Sequence, residues 1–358
     1  MSATLNFFDT YYLASIAEEI VPQQTFFRDR YFPTSAGDLF NSDKVLTEYR
    51  KGDRKMAAFV SARAGDIPME RRGFEIHEYS PARIAPSRFL SIDDLAKRGF
   101  GEAIYANSTP AERAARLLLD DMTDMDMRIS RREEWMCAQT MINNACTMQT
   151  YIDDQTEGEE YSVKFHDGTS DHAYTVATKW NESGGDFFGD GRAMARLLSK
   201  RSLPAADLVL GTDAADAVLN IEKVRNMLDR NSGIIVGTIE QQLSAYDGVV
   251  YMGTLNFGGH RLNLISVDET YEDEAGTEKK YFPATAAMVT APGCGHLMYG
   301  RVDQIDYGST VPTTYTAKRV PKLVVDQDAD TRKLRLEARP LAAPKSYCPY
   351  IYAADVVG

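Results

Sequence analysis

The sequence predicts an α+β fold in which an N-terminal arm and an extended loop precede one long helix and a mixed α/β domain. Three observations support this prediction. Residues 108–150 carry apolar side chains at helical spacing over an unusually long run. Residues 185–325 alternate helical segments with short strand-like runs, and residues 43–85 carry too little apolar surface to bury themselves.

Composition limits the classes of protein that the chain can belong to. It has 358 residues, 44% of them hydrophobic, which is enough for two or three domains. A net charge of −12 argues against a protein that wraps nucleic acid, because phosphate binding needs a basic surface. No apolar run is long enough for a membrane span, and the first residues lack a secretory signal pattern. The four cysteines are far apart, as is typical of reduced, buried thiols in a cytosolic protein.

The arm is predicted over residues 1–42, beginning with a short amphipathic helix. The stretch "TFFRDRYFP", Thr25 to Pro33, follows and holds four aromatic residues that need a partner surface. We therefore predict contacts with a neighbouring copy of the chain at Phe26, Phe27, Arg28, Tyr31 and Phe32.

The extended loop is predicted over residues 43–85, as a long two-stranded excursion with turn signals at Gly65 and Gly73. An isolated hairpin is only marginally stable in water, so this loop needs a surface to lie on. We predict that a neighbouring copy supplies that surface, with acidic groups for the loop arginines. The candidate contacts in the loop are Arg63, Arg71, Arg72 and Phe74.

The long helix is predicted over about residues 108–150. Thr109 to Glu112 form a capping box with Pro110 at the first helical position. At roughly 1.5 Å per residue, some 40 residues make a rod near 60 Å long, against a typical length of about 11–12 residues. A rod of this length usually spans a flat domain or crosses several partners, and its Trp135 is a further candidate intersubunit contact.

The rest of the chain predicts strands and shorter helices. Residues 151–180 are expected to form a hairpin around the Asp-Gly signal of "HDGTSD". Within 185–325 we predict the strand "DLVLG", a helix over "DAADAVLNIEKVRNMLDR" capped by Thr212, and the strands "GIIVGTI", "GVVYMGTL", "RLNLISV", "MVTAP" and "HLMYGRVDQID". Two terminal strands follow, "KLRLEARPL" and "SYCPYIYAADVV".

Sites for chemistry are weakly indicated. The glycine-rich stretches 99–104 and 184–191 lack phosphate-loop spacing, and the five histidines lack metal-ligand spacing. Four aspartates on the long helix are explained equally well by a solvated helix face. Cys294 lies two residues from His296, which leaves open an enzyme with a thiolate nucleophile as a minority interpretation. We therefore predict no catalytic, cofactor-binding or metal site, and an assembly protein rather than an enzyme.

The order of these parts resembles the major capsid proteins of tailed phages. Their fold is the Hong Kong ninety-seven type, and the chain is most similar to the lambda-type branch, the phage major capsid protein E family. The resemblance covers nearly the whole chain. The segments that carry it are "TFFRDRYFP", "KMAAFVSARAGDIPMERRGFE", "ERAARLLLDDM" through "EEWMCAQTM", "TKWNESGGD", "DAADAVLNIEKVRNMLD" and "EARPLAAPKSYCPYIYAADV".

The resemblance implies a particular division of the chain. A peripheral domain would comprise residues 86–184 and 326–358, with the long helix as its spine, and an axial domain would comprise residues 185–325. The implied function is a head protein that self-assembles into an icosahedral shell of hexamers and pentamers around double-stranded DNA, without sequence-specific binding and without cofactors. The implied location is the virion, after assembly in the host cytoplasm.

Further partners follow from the same resemblance. It implies a portal at one vertex and, in many relatives, a decoration protein outside. Only about 25 residues precede "TFFRDRYFP", so scaffolding is expected from a separate protein. The loop tip from Ser61 to Pro81 has no lysine, which argues against a lysine–asparagine cross-link. The alternative interpretation is an encapsulin-like compartment or another self-assembling shell of the same fold.

The acidic balance of the chain suits a DNA container, since walls that bound phosphate tightly would stall packaging. The first half of the long helix is the candidate for an acidic strip that faces inward. Its four aspartates are Asp120, Asp121, Asp124 and Asp126.

Overall fold

The computed structural model describes residues 25–42, 44–49, 75–91, 110–151, 157–231, 246, 248–306, 310–326 and 331–358. The helices are α1 (Phe26–Tyr31), α2 (Pro110–Asn143), α3 (Phe187–Lys200), α4 (Thr212–Asn220) and α5 (Glu222–Asn231). The strands of the first half are β1 (Val45–Tyr49), β2 (Glu75–Tyr79), β3 (Ser87–Ser91), β4 (Ala145–Tyr151), β5 (Glu157–Lys164) and β6 (Asp207–Leu210). Those that follow are β7 (Val249–Phe257), β8 (His260–Val267), β9 (Thr270–Glu272), β10 (Glu278–Lys280), β11 (Ala287–Thr290) and β12 (Gly295–Tyr299). The last are β13 (Val302–Ile305), β14 (Pro312–Tyr315), β15 (Val320–Asp326), β16 (Thr331–Glu337), β17 (Pro340–Pro344) and β18 (Ile351–Ala353).

A five-stranded sheet forms the centre of the mixed domain, in the order β18-β11-β6-β8-β7. Only the β6–β8 pair is parallel. All four side chains of β6 are buried, as expected for a strand covered on both faces. One apolar cluster joins this sheet to Met194, Leu198 and Val218 of α3 and α4. The predicted strand "DLVLG" is confirmed, whereas the predicted long helix after it is two helices that separate at Ile221, and Gly211 rather than Thr212 is the N-cap.

The long helix α2 has a smaller sheet of its own. Strands β15, β16 and β3 pair in that order, all antiparallel. Apolar residues of α2 pack on one face of this sheet, in a cluster of Leu118, Met122, Met125, Ile129, Leu323, Leu334, Leu336 and Ala338. The spacing of the four helical members, at three and four residues, is the apolar face that the sequence predicted. Among the described residues, no helix is long and apolar enough to cross a membrane.

The long helix ends earlier than predicted. It has 34 residues and stops at Asn143, whereas the sequence predicted a helix to about residue 150. Asn144 has φ of +51°, in the left-handed region that asparagine tolerates, and its buried side chain donates to the carbonyl oxygen of Phe165 at 2.9 Å. Strand β4 starts at the next residue and pairs with β5. The hairpin predicted over 151–180 is therefore formed by 145–164 instead.

Several strands pair across the predicted division between the peripheral and the axial domain. Strand β18, assigned to the peripheral domain, lies in the five-stranded sheet beside β11. Strands β12 and β15, assigned to the axial domain, pair with β17 and β16. The predicted division at residues 325 and 326 stays a prediction, and three strand pairs cross it.

The extended loop is described only at its base. Strands β1 and β2 pair antiparallel from Val45 opposite Tyr79 to Tyr49 opposite Glu75. Val45 and Tyr79 are buried, and the Tyr79 ring packs edge-on against Phe165 with centroids 5.1 Å apart. The two-stranded start of the predicted loop is therefore confirmed, and its tip lies outside the described residues.

Candidate assembly interface

The aromatic residues of the arm lie inside their own chain. Phe26, Phe27, Tyr31 and Phe32 are fully buried. The Phe27 ring stacks on Phe282 with centroids 6.1 Å apart. The prediction that these four rings contact a neighbouring copy is wrong, because no part of them reaches the subunit surface. The surface that they were predicted to need is supplied by distant segments of the same chain.

A close backbone approach fixes the end of the arm helix. The Phe32 ring lies directly on Gly295 of β12, and a β-carbon at position 295 would collide with that ring. Beside it, the amide of Gly293 donates to the carbonyl oxygen of Arg30 at 2.9 Å. Glycine at 295 thus permits the arm to sit against β12 at backbone distance.

Charged groups tie the arm to the five-stranded sheet. Asp207 of β6 is fully buried and accepts from Arg30 at 2.7 and 3.0 Å. It also accepts from the hydroxyl of Tyr31 at 3.1 Å and from the side-chain amide of Asn263 at 2.9 Å. Four donors on one carboxylate compensate for its removal from water, which makes α1 a fixed part of the subunit.

The other end of α1 is held by the long helix. Both carboxylate oxygens of Glu134 accept from the first turn of α1, from the Phe27 amide at 2.6 Å and the Arg28 amide at 2.8 Å. A carboxylate at this position satisfies amides that a helix leaves free and is favoured by the helix dipole. Glu134 is 1% exposed, and burial raises its pKa from 4.5 to about 7 against the opposing effect of the two amides.

We expect this contact to make stability depend on pH. A carboxyl group whose pKa is raised by folding binds its proton more tightly in the native state, so its contribution falls as pH rises from about 4.5 to 7. The difference in unfolding free energy between the parent and Glu134→Gln should therefore change by up to about 3 kcal/mol, in favour of the parent at low pH. Urea unfolding of both proteins at pH 5 and at pH 8 measures this change. A difference that stays constant over this range would contradict the assignment.

A second buried network joins the long helix to the segment before β15. Arg319 donates to Asp126 at 2.5 Å and to both oxygens of Glu133 at 2.7 and 3.0 Å. Glu133 also accepts from the hydroxyl of Tyr299 at 3.0 Å and pairs with Arg28 at 3.4 Å. Asp126 and Glu133 are both buried. Arg28 was predicted to contact a neighbouring copy, and its guanidinium is instead engaged here and with Asp29.

The aspartates of the long helix do not form the predicted strip. Asp126 is buried against Arg319, and Arg88 of β3 binds both Asp121 and Asp124. Of the four aspartates, Asp120 alone has a fully exposed side chain. The four-aspartate strip proposed to face packaged DNA is therefore wrong for Asp126, and replacing all four residues would damage the fold rather than test a surface.

Trp135 lies beside an open cleft. The cleft has a volume of about 690 Å³ and separates the long helix from the β9–β10 hairpin. Arginines line the helix side and carboxylates the hairpin side, and Arg132 lies over the Trp135 ring at 5.2 Å while pairing with Glu274. Trp135 is partly buried, and its role as an intersubunit contact stays a prediction. The remaining predicted contacts Arg63, Arg71, Arg72 and Phe74 lie outside the described residues.

The Cys294–His296 pair does not provide a reactive thiolate. Burial raises the pKa of the Cys294 thiol to about 12, so it is protonated at neutral pH. His296 lies 3.4 Å from Asp38, so its imidazole is engaged with that carboxylate and not with the thiol. Burial of the imidazole, and next the positive charge of Lys345, lower the pKa of His296. Among the described residues, no three histidine, cysteine or acidic side chains are grouped as metal ligands.

Surface-exposed apolar side chains mark faces that the sequence did not single out. Each is more than a third exposed in the isolated subunit: Phe89, Leu119, Tyr151, Tyr161, Leu219, Met227, Val250, Ile305, Val311 and Val324. Strand alternation could have identified Phe89 and Val324 as outward-facing, but only after the strands themselves had been assigned.

Comparison with known proteins identifies relatives along most of the chain. The family model described as phage major capsid protein E matches residues 9–351. The P21 prophage-derived major head protein of Escherichia coli O6:H1 strain CFT073 is 23% identical over 298 residues, covering 78% of this chain and 79% of its own. The major capsid protein of Enterobacteria phage P21 matches with the same identity and coverage. A crystal structure assigned to a prophage capsid protein of E. coli CFT073 aligns with a TM-score of 0.65 at 17% identity, over 97% of this chain and 99% of the other.

Proposed function

The chain belongs to the phage major capsid protein E family, and from this premise we propose how it builds the phage head. It is a major capsid protein that self-assembles into the shell, and the observation that carries this conclusion is the family match over residues 9–351. The predicted family, capsid fold and function are confirmed. The family match and the similarity to two phage head proteins favour the phage head over the alternative of an encapsulin-like compartment.

We propose that the shell is an icosahedral arrangement of hexamers and pentamers, assembled in the host cytoplasm with a separate scaffolding protein and a portal at one vertex. A decoration protein completes the proposed set of partners. The shell encloses double-stranded DNA without sequence-specific contact. The net charge of −12 supports this last point, because tight binding of phosphates requires clustered lysine and arginine.

The proposed role is structural, with no catalytic step. Family membership supports it, as does the protonated state of the buried Cys294 thiol. The buried ionic networks around Asp207 and Glu133 have their donors within the same chain, so their role is to join segments of the subunit.

We propose that the extended loop between β1 and β2 lies on a neighbouring copy in the shell. Its base is anchored by Val45 and Tyr79, so the loop departs from a fixed position on the subunit. Residues 51–74 contain six lysines and arginines against three acidic residues, which suits an acidic surface on the neighbour.

Deleting residues 61–74 should abolish shell formation and leave the subunit folded, because the deletion stops before β2 and removes no described packing. Electron microscopy and sedimentation of the parent and the deletion variant, each co-produced with the scaffolding protein, measure assembly. Circular dichroism of the free subunit measures folding. A triple variant with alanine at Arg63, Arg71 and Arg72 tests the charges of the loop. Its matched control has alanine at Arg192, Arg196 and Lys200, which removes three exposed cations from α3. Loss of the subunit fold in the deletion variant, or equal assembly of both triple variants, would contradict the loop assignment. A parent that never forms shells would contradict the proposed function itself.

A further inference from the structure

One face of the three-stranded sheet is open to solvent and carries two apolar side chains. Phe89 is 68% exposed and Val324 is 43% exposed. Both lie opposite Lys333 in the strand register, so the three side chains form one row across the sheet. The ammonium of Lys333 lies 5.0 Å from the centre of the Phe89 ring. We call the surface formed by Phe89, Lys322, Val324 and Lys333 the outer sheet face.

The outer sheet face is positively charged in a chain that is acidic overall. Lys322 occupies the next row, opposite Arg335. Within the described part of the chain, neither Lys322 nor Lys333 has a carboxylate in ion-pair range, whereas Arg335 pairs with Glu337 at 3.1 Å. Burial and then Arg335 lower the pKa of Lys322, which an added carboxylate would reverse. The carboxylates of Asp306 and Glu337 oppose this shift without cancelling it, so the two lysines leave the face with an excess of positive charge.

A second surface has the opposite charge and a similar apolar content. Tyr151 and Tyr161, at the outer part of the β4–β5 hairpin, are 45% and 37% exposed. Glu159 and Glu160 are exposed and consecutive along β5, so they point to opposite faces of the hairpin, with Glu159 on the side of Tyr161. Neither has an ion-pair partner among the residues that the structure describes. We call these four residues the acidic hairpin.

The two surfaces belong to separate sheets of the subunit, and no hydrogen bond or ion pair joins them among the described residues. The sheet packs on the part of α2 from Leu118 to Ile129, while the acidic hairpin begins after the last residue of α2, Asn143. The helix rises about 1.5 Å per residue, so the two attachment points are separated by roughly 20 Å along its axis. Both surfaces are therefore available to a second copy.

We propose that the outer sheet face of one copy binds the acidic hairpin of a second copy in the shell. This inference rests on the proposed self-assembly and identifies one contact between neighbouring copies. The free edge of β5 approaches the outer sheet face, so that Glu159 and Glu160, on either side of that edge, both supply charge opposite Lys322 and Lys333. The exposed apolar side chains of the two surfaces become covered by each other. The contact joins two different patches, so it is heterologous, and it closes into a ring if the rotation between copies permits.

Charge disfavours the extended loop as the occupant of the outer sheet face. Residues 51–74 carry an excess of positive charge, and like charges opposed across an interface suppress binding. The acidic hairpin is favoured because both its charges and its exposed rings match the face.

A charge exchange tests the contact. The variants are Lys322→Glu with Lys333→Glu, Glu159→Lys with Glu160→Lys, and all four changes in one chain; the matched control is Arg196→Glu with Lys200→Glu on α3. Each double variant should lower the shell yield by about tenfold or more, because opposed like charges disfavour association, and the quadruple variant should recover most of that yield. Sedimentation and electron microscopy measure shells, and circular dichroism confirms folding of each free subunit.

The outcomes separate this inference from the proposed function. Parent shells with unaffected double variants, or with no recovery in the quadruple variant, would overturn the contact and leave the capsid function in place. If a double variant fails to fold, Val324→Cys and Tyr161→Cys copies are mixed during assembly and oxidised. Covalent dimers are then expected in the shells, and shells without dimers would overturn the contact. The four native cysteines are buried and do not compete.

Discussion

Replacing Arg319 by alanine should lower the free energy of unfolding by about 3–5 kcal/mol, because breaking a buried ion pair leaves an uncompensated charge inside the protein. Arg319 donates to Asp126 and makes a two-bond contact with Glu133, and both carboxylates are buried. Glu133 keeps Tyr299 and Arg28 in the variant, but Asp126 loses the guanidinium that neutralises it. Chemical denaturation of the free subunit measures the loss.

Arg128→Ala is the matched control for this prediction. Arg128 lies on the long helix and pairs with Asp124 at 3.2 Å, so it also contacts a carboxylate. Its side chain, however, is 63% exposed. Its replacement should change the unfolding free energy by no more than about 0.5 kcal/mol, as is usual for surface pairs. Similar small losses for both variants would show that the Arg319 network does not stabilise the subunit.

Replacing Phe27 by alanine should cost about 3–5 kcal/mol, the usual range for a buried phenylalanine. Its ring is fully buried and lies within 6.1 Å, centre to centre, of both Phe282 and Tyr31. The cavity would open between the arm and the five-stranded sheet, so the arm should detach first. Thermal unfolding and limited proteolysis after Arg28 or Arg30 measure both effects.

Phe89→Ala removes the same ring from an exposed position. Its side chain is 68% exposed, so the stability of the free subunit should change by less than about 1 kcal/mol. If Phe27→Ala is as mild as Phe89→Ala, the arm is not part of the core. Because Phe89 lies on the outer sheet face, its loss should appear in shell assembly rather than in subunit stability.

Local patterns in the sequence predicted most elements of the fold. The apolar spacing of α2 and the strand runs of β6, β8 and β11 are signals that depend on neighbouring residues alone. The end of α2 was missed because no proline or glycine marks it in the sequence. Asn144 ends the helix instead, through its left-handed backbone conformation and its hydrogen bond to Phe165.

The arm shows what local patterns cannot supply. Four aromatic residues within seven positions were expected at an interface, since no partner was visible nearby in the sequence. The partners are Phe282 and Gly295, some 250 residues away, and the cap of the arm helix is Glu134. The same applies to the outer sheet face, whose lysines become neighbours only through the register of three strands.

The position of β18 in the five-stranded sheet has a consequence for synthesis of the protein. Strand β11 pairs on one side with β6 and on the other with residues 351–353. While a ribosome makes the roughly 60 residues between them, which takes about 3–12 s at 5–20 residues per second, that edge of β11 lacks its native partner. An unpaired strand edge is prone to pair with other chains, and many nascent copies are made at once during head production. The edge of β11 is therefore closed only after β18 has been made, so this subunit acquires its full central sheet late in its synthesis.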